Sequence, residues 1–177
     1  MELRDPDPAL RAAFLAMADA FRAADESRHR EVCGMDADAF AAYVKKLLAR
    51  GRGEALERGT VLEKTFWLFD GEGIGGVSRL RPKLDPYHER LAGHIGFEVA
   101  PTHRTGDAGV QLLVLTLAKA REAGLSKVLL CCDPEKAERR RIVEAAGGTQ
   151  LDEVSGVLPE GDAYRKVRYT VPVPPGA

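Results

Sequence analysis

Asparagine is absent from the 177-residue sequence. There is therefore no N-glycosylation sequon, and any chemistry that needs an asparagine must use another side chain. Cysteine is scarce and badly arranged for cross-linking: Cys33, Cys131 and Cys132 are odd in number, and none forms a CxxC pair. This argues against a disulfide framework and against a cysteine zinc site. The histidines His29, His88, His94 and His103 show no HExxH spacing, so no metal is expected. No apolar run approaches the ~18 residues of a membrane span. The start, Met1-Glu2-Leu3-Arg4-Asp5, lacks the basic-then-apolar order of a signal peptide, and a cytoplasmic location is expected. Charge of either sign is not in excess: 26 Lys+Arg face 27 Asp+Glu, a net charge of −1. Neither a nucleic acid nor a membrane is the expected partner.

What remains is a soluble globular composition, 45% hydrophobic and 30% charged. The length suits one domain, for which ~100–200 residues is ordinary. Leu10, Phe14, Met17 and Phe21 recur at helical spacing and predict a helix over 6–25, with Asp5-Pro6 as its start. Phe40, Val44, Leu47 and Leu48 predict a second over 36–50, capped by Asp36 or Asp38. The period then changes. Residues 61–69 and 74–81 read as a hairpin around Asp70-Gly71-Glu72-Gly73, 82–90 as a loop, and 92–99 as a third strand. Helices over about 109–123 and 134–146 bracket a buried strand at 127–132, and strands at 149–154 and 163–173 close the chain. The expected fold class is α/β, a mixed central sheet with helices on both faces. One domain is expected over 1–177, with N-terminal helices in 1–57 and the sheet in 58–173. The helical crossover predicts that 92–99 and 127–132 lie parallel.

Residues 93–109, GHIGFEVAPTHRTGDAG, carry the most chemical information. A strand runs through a short glycine-containing loop into a helix N-terminus, where unpaired N–H groups and the positive dipole end suit an anion. Arg104 stands at the mouth of that loop. The plainer alternative is an ordinary connection with Thr105 or Asp107 as the helix cap.

This stretch resembles the GNAT superfamily of N-acetyltransferases, most closely a bacterial branch. The resemblance rests on Gly93-His94-Ile95-Gly96-Phe97, Pro101 and Arg104, Leu113, Leu117 and Ala120, Lys127-Val128-Leu129-Leu130, Cys132-Asp133, Val143-Glu144 and Gly147-Gly148. Thr65-Phe66-Trp67-Leu68, Ser78-Arg79-Leu80-Arg81 and Arg168-Tyr169 extend it over roughly 60–171. It implies the acyl-CoA N-acyltransferase fold, with acetyl-CoA as co-substrate in a gap between strands 92–99 and 127–132. The implied backbone partners are Phe97 and Val99, and the implied diphosphate loop is Arg104, Thr105, Gly106, Asp107, Ala108 and Gly109. The family loop has glycine where this chain has Asp107. A register shifted to His103-x-x-Gly106-x-Ala108 restores that glycine and loses the arginine. The family's frequent asparagine in the next helix is also missing, and Lys136 stands near it. The run Arg139-Arg140-Arg141 reads as a solvated helix face or as a contact to a terminal phosphate.

The resemblance implies direct transfer of acetyl to a primary amine on a small molecule or peptide. On strand 92–99, His94, Gly96 and Glu98 share one face and Ile95, Phe97 and Val99 the other. Glu98 is the first candidate base and His94 the second, an imidazole with an ordinary pKa near ~6.5. Arg79, Arg81 and His88 are the candidates for an acidic group on the acceptor. No general acid is evident, although Tyr87, Tyr164 and Tyr169 exist. A homodimer through the last strands is compatible with the pattern. The rival reading is a non-catalytic acyl-CoA-binding or protein-interaction module that keeps the fold.

Overall fold

The computed structural model describes residues 1–54 and 60–175. The boundary expected between 57 and 58 lies outside the described residues. Five helices and seven strands run in the order β1 (Glu2–Arg4), α1 (Arg11–Ala23), α2 (Ala37–Gly51), β2 (Lys64–Phe69), β3 (Ile74–Leu80), α3 (Pro86–Leu91), β4 (Ile95–Val99), α4 (Ala108–Glu122), β5 (Lys127–Cys132), α5 (Ala137–Ala145), β6 (Thr149–Val157) and β7 (Ala163–Pro172) among the described residues.

Local chemistry sets most of these boundaries. Asp36 caps α2 by accepting from Ala39 N at 2.9 Å, which satisfies one of the donors a helix start leaves unpaired. Asp7, two residues beyond the expected cap Asp5, caps a short 3-10 turn at Pro8–Leu10, and α1 follows from Arg11. Gly124 ends α4 with φ +83°, a left-handed conformation that favours glycine. The segment 82–90, expected as a loop, contains α3. Asp85 caps it through His88 N at 2.8 Å, and Pro86 opens it.

Strands β1-β2-β3-β4 form one antiparallel sheet, and β5-β7-β6 form a second. The faces of the first sheet follow strand alternation. Trp67, Ile74 and Val77 meet Phe14, Phe21, Phe40 and Val44 of α1 and α2, with the Phe14 and Trp67 rings 4.4 Å apart. Phe66, Leu68, Leu80, Ile95 and Phe97 meet Leu112, Leu113 and Leu117 of α4 on the other face. Helices thus cover both faces. A polar pair is satisfied within the second core: Thr116 Oγ1 donates to Ser78 Oγ at 2.7 Å.

The expected parallel pairing of 92–99 with 127–132 is not a ladder. The two strands belong to different sheets and touch only where they begin. A bridge joins Gly93 to Leu130, and His94 N donates to Leu129 O at 2.7 Å. Gly93 is required there. Its φ is +71°, and a Cβ would come within 2.2 Å of Leu129 O. Beyond this joint the strands are unpaired, and a gap lined by both lies between them.

Candidate functional site

The gap exposes one edge of β4. Arg81 N donates to His94 O at 2.8 Å and Ala100 N to Gly75 O at 2.9 Å. Antiparallel alternation then gives Gly96 and Glu98 to β3, and turns the N–H and C=O groups of Phe97 and Val99 away from β3, toward the gap. A cavity of about 810 Å³ fills the gap, with Gly96, Phe97, Glu98 and Val99 on one wall and Cys131, Asp133, Lys136 and Arg139 on the other. A second cavity of about 290 Å³ adjoins it at the loop before α4, where Thr105, Gly106 and Gly109 line it. Val99, Arg104, Glu138 and Ile142 line both. The result is one long groove, running from the open edge of a strand to the N-terminus of a 15-residue helix. The unpaired amides of a helix start suit an anion there.

Two arginines occupy the open strand edge. Arg139 Nη1 donates to Phe97 O at 2.7 Å, and its guanidinium lies 4.2 Å over the Phe97 ring. Arg104 Nε donates to Val99 O at 3.3 Å. Arg104 also grips Glu26 from the loop after α1, with contacts of 2.5 and 3.0 Å to the two carboxylate oxygens. That hydrogen bond holds the Glu26 carboxyl below its ordinary pKa.

At the wide end, Glu98 meets two guanidiniums and an imidazole. Its Oε1 receives Arg28 at 2.8 Å and Arg79 at 2.7 Å, and its Oε2 meets His29 Nε2 at 2.7 Å. Burial alone would raise the pKa of this carboxyl, but the His29 hydrogen bond and the Arg79 charge outweigh it and hold it well below the carboxylate range. His29 is itself constrained. It is buried with φ +59°, and the rings of Phe14 and Phe21 pack against it. A non-glycine residue in this conformation is held by its surroundings.

The structure places the two expected bases differently. Glu98 lines the cavity, with Arg28, Arg79 and His29 already in contact with its two oxygens. His94 does not line the cavity. Its Nδ1 accepts from Leu129 N at 3.0 Å, and burial lowers its pKa. It is a strut between the strands.

The other expected residues divide. Phe97, Val99, Arg104, Thr105, Gly106, Gly109 and Lys136 line the two cavities, as do Arg79 and Arg81. His88 lies outside them, paired with Asp85 at 2.7 Å. Asp107 and Ala108 are also absent from the linings. Asp107 occupies the cap position of α4 without a capping bond. Its carboxylate instead accepts from Gln111 Nε2 at 2.6 Å. The Asp107 carboxylate is thus turned toward Gln111, and the residue does not line the loop cavity. Gly109 is small for packing, since a Cβ there would lie 2.5 Å from Ile142 Cδ1. The basic run is only partly a solvated face: Arg141 is exposed, whereas Arg139 holds Phe97 O and Arg140 Nε donates to the Tyr169 hydroxyl at 2.8 Å. That hydroxyl in turn donates to Glu144 at 2.9 Å, so Tyr169 is not free to act as an acid. Burial pushes the Cys131 thiol up to about 11, which leaves it protonated at neutral pH.

Sequence reasoning missed Glu26, Arg28 and His29. They lie in a polar loop without periodicity, and their partners are about seventy residues away in sequence. The only available signal was their position between two helices that cover the strand they serve. Among the described residues no group of three or more His, Cys, Asp or Glu side chains could hold a metal ion, and no helix is long and apolar enough to cross a membrane.

No protein-family model matches the sequence, and no curated protein matches it. Solved structures do match in fold. RimJ from Mycobacterium smegmatis, in complex with CoA-disulfide, superposes with a TM-score of 0.68 at 18% identity, over 96% of this chain and 80% of that one. A ribosomal-protein-S5-alanine acetyltransferase from Vibrio fischeri gives 0.69 at 13% identity, over 97% and 92%. The microcin C7 self-immunity acetyltransferase MccE, in complex with acetyl-CoA and AMP, gives 0.69 at 10% identity, over 97% and 91%. Together with the split sheet and the groove between β4 and β5, these likenesses show that the chain has the fold of the GNAT acyl-CoA N-acyltransferases.

Proposed function

We propose that the chain transfers an acetyl group from acetyl-CoA to a primary amine, both held together in the groove. The observation that carries this reading is the open edge of β4. The Phe97 and Val99 backbone groups face a cavity of about 810 Å³ that continues to the N-terminus of α4. An extended amide-bearing chain can pair with such an edge as an added strand does, and a diphosphate can rest on the amides at 106–110. The CoA and acetyl-CoA complexes of fold neighbours support the same assignment.

Acetyl-CoA supplies an activated acyl group. In the transfer, the amine nitrogen bonds to the acetyl carbon, the carbon–sulfur bond breaks, nitrogen loses one proton and the thiolate gains one. The β4 N–H groups facing the groove are the donors placed for the acyl oxygen. Glu98 orders Arg28 and Arg79 and leaves the proton to water in the open cavity. The chain's contribution is chiefly positioning, which can supply a large share of a rate enhancement. Since ribosomal-protein acetyltransferases are among the fold neighbours, a peptide amine is an acceptor to test first.

The second reading, a binding module that keeps the fold, is favoured by one observation. Arginines cap both β4 carbonyls that a bound pantetheine arm would use. Incubation with acetyl-CoA and a panel of peptide and small-molecule amines, followed by release of free thiol, separates the two. Amine-dependent thiol release supports the enzyme. Binding of acetyl-CoA with no release above the spontaneous rate supports the module.

A further inference from the structure

The face of the first sheet beneath the loop after α1 holds more positive than negative charge. Glu98 is shared by Arg28 and Arg79. Glu63, which is buried, is shared by Arg81 at 2.5 Å and Arg50 at 3.6 Å. Glu26 also lies 3.9 Å from Arg28. Of these groups Arg28, Arg79 and Arg81 line the cavity together with Glu26 and Glu98, so three guanidiniums face two carboxylates there. The donors of Arg79 are largely unspent. Among the described residues Arg79 uses one of its five N–H groups, on Glu98, while Arg81 engages its two terminal nitrogens with Glu63 and Gly93 O. Unsatisfied guanidinium donors in a half-enclosed site suit a carboxylate or phosphate, which they can grip in a fork.

From this juxtaposition we infer that the acceptor is an amine that carries an anionic group, and that Arg28 and Arg79 seat that group beside the reacting nitrogen. The inference rests on the acetyltransferase reading and names its substrate class. Carboxylate and phosphate are the shared chemistry. Both are neutralised by the same guanidiniums, so the anion no longer holds a proton on the neighbouring amine, which must be neutral to attack. Glu98 sets the position of both arginines and is a positioning residue.

The test uses matched acceptors: glycine against glycinamide, O-phosphoethanolamine against ethanolamine, and alanyl-aspartate amide against alanyl-asparagine amide. The three pairs distinguish a free amino acid, a phosphate and an acidic peptide as the source of the anion. The expected result is that at least one anionic member is acetylated with a kcat/KM at least about tenfold above its neutral partner, the factor expected from one charge-assisted contact. In Arg28→Gln and Arg79→Gln that advantage should fall at least about fivefold through KM. Calorimetric binding of acetyl-CoA by each variant shows that it remains folded. Equal use of both members, or a preference that survives both substitutions, overturns the inference while leaving the transferase. Binding of acetyl-CoA with no anionic amine accepted also overturns it. If acetyl-CoA does not bind and no amine is acetylated, the transferase reading fails and takes this inference with it.

Discussion

The guanidinium of Arg139 donates to the carbonyl of Phe97 at 2.7 Å and stacks 4.2 Å above its ring. It covers the stretch of β4 that a pantetheine arm would pair with, so a ligand must displace it. The net worth of such a contact is about 1 kcal/mol, which is roughly a fivefold effect. Arg139→Ala should therefore tighten acetyl-CoA binding by about three- to tenfold in calorimetry. Weaker binding in the variant would instead make Arg139 a ligand of the cofactor's phosphates.

Glu98 gives a pH prediction with a definite sign. Its pKa in the folded chain lies far below the ordinary carboxylate value. Its contribution to stability is thus complete above the unfolded-state pKa near ~4.3 and is lost as pH falls toward the folded value. Glu98→Gln should lower stability at pH 7 by about 2 kcal/mol, because it removes the carboxylate from half-buried Arg79 and from buried His29. It should also flatten the stability profile between about pH 2 and 4.5. Urea titrations of both proteins across that range check both parts.

How legible this was depended on the kind of signal. The strand at 127–132 coincides with β5, Lys127–Cys132, because six apolar-rich residues between a helix-ending glycine and Asp133-Pro134 admit little else. The helix expected over 36–50 matches α2, Ala37–Gly51, because Asp36 and the stripe from Phe40 to Leu48 agree. β1 was invisible: Glu2–Arg4 has no periodicity and is a strand only because β2 pairs with it. α3 was hidden by the prolines around it, although Asp85-Pro86 is a helix-start signal. In the site, the loop and strand were legible because they are contiguous. The cluster around Glu98 was not, since Arg28, His29, Arg79 and Glu98 meet only after two helices and three strands have packed. Alternation placed Glu98 on the open face and could not show that its oxygens would already be taken.

Asp107 is turned toward Gln111 and is exposed. Its charge should matter little to a ligand at the loop, as solvent screens an exposed carboxylate. Asp107→Ala should change the acetyl-CoA dissociation constant by less than about threefold. A change of tenfold or more would place the carboxylate in the phosphate site.

Gly93 is the joint between β4 and β5, with φ +71° and no room for a Cβ. Gly93→Ala should cost about 2–4 kcal/mol, combining left-handed backbone strain with overpacking against Leu129. Thermal denaturation measures the loss. A change below about 0.5 kcal/mol, the range of an ordinary surface substitution, would contradict the account of the joint.

The central claim is that acetyl-CoA lies along the open edge of β4 with its phosphates on the loop before α4. Residue-resolved hydrogen exchange with and without the nonhydrolysed product CoA tests it most directly. The account predicts slowed exchange at Phe97 and Val99 and at the amides of 105–110. Unchanged exchange at these amides with CoA at millimolar concentration, or protection confined to another surface, would contradict it.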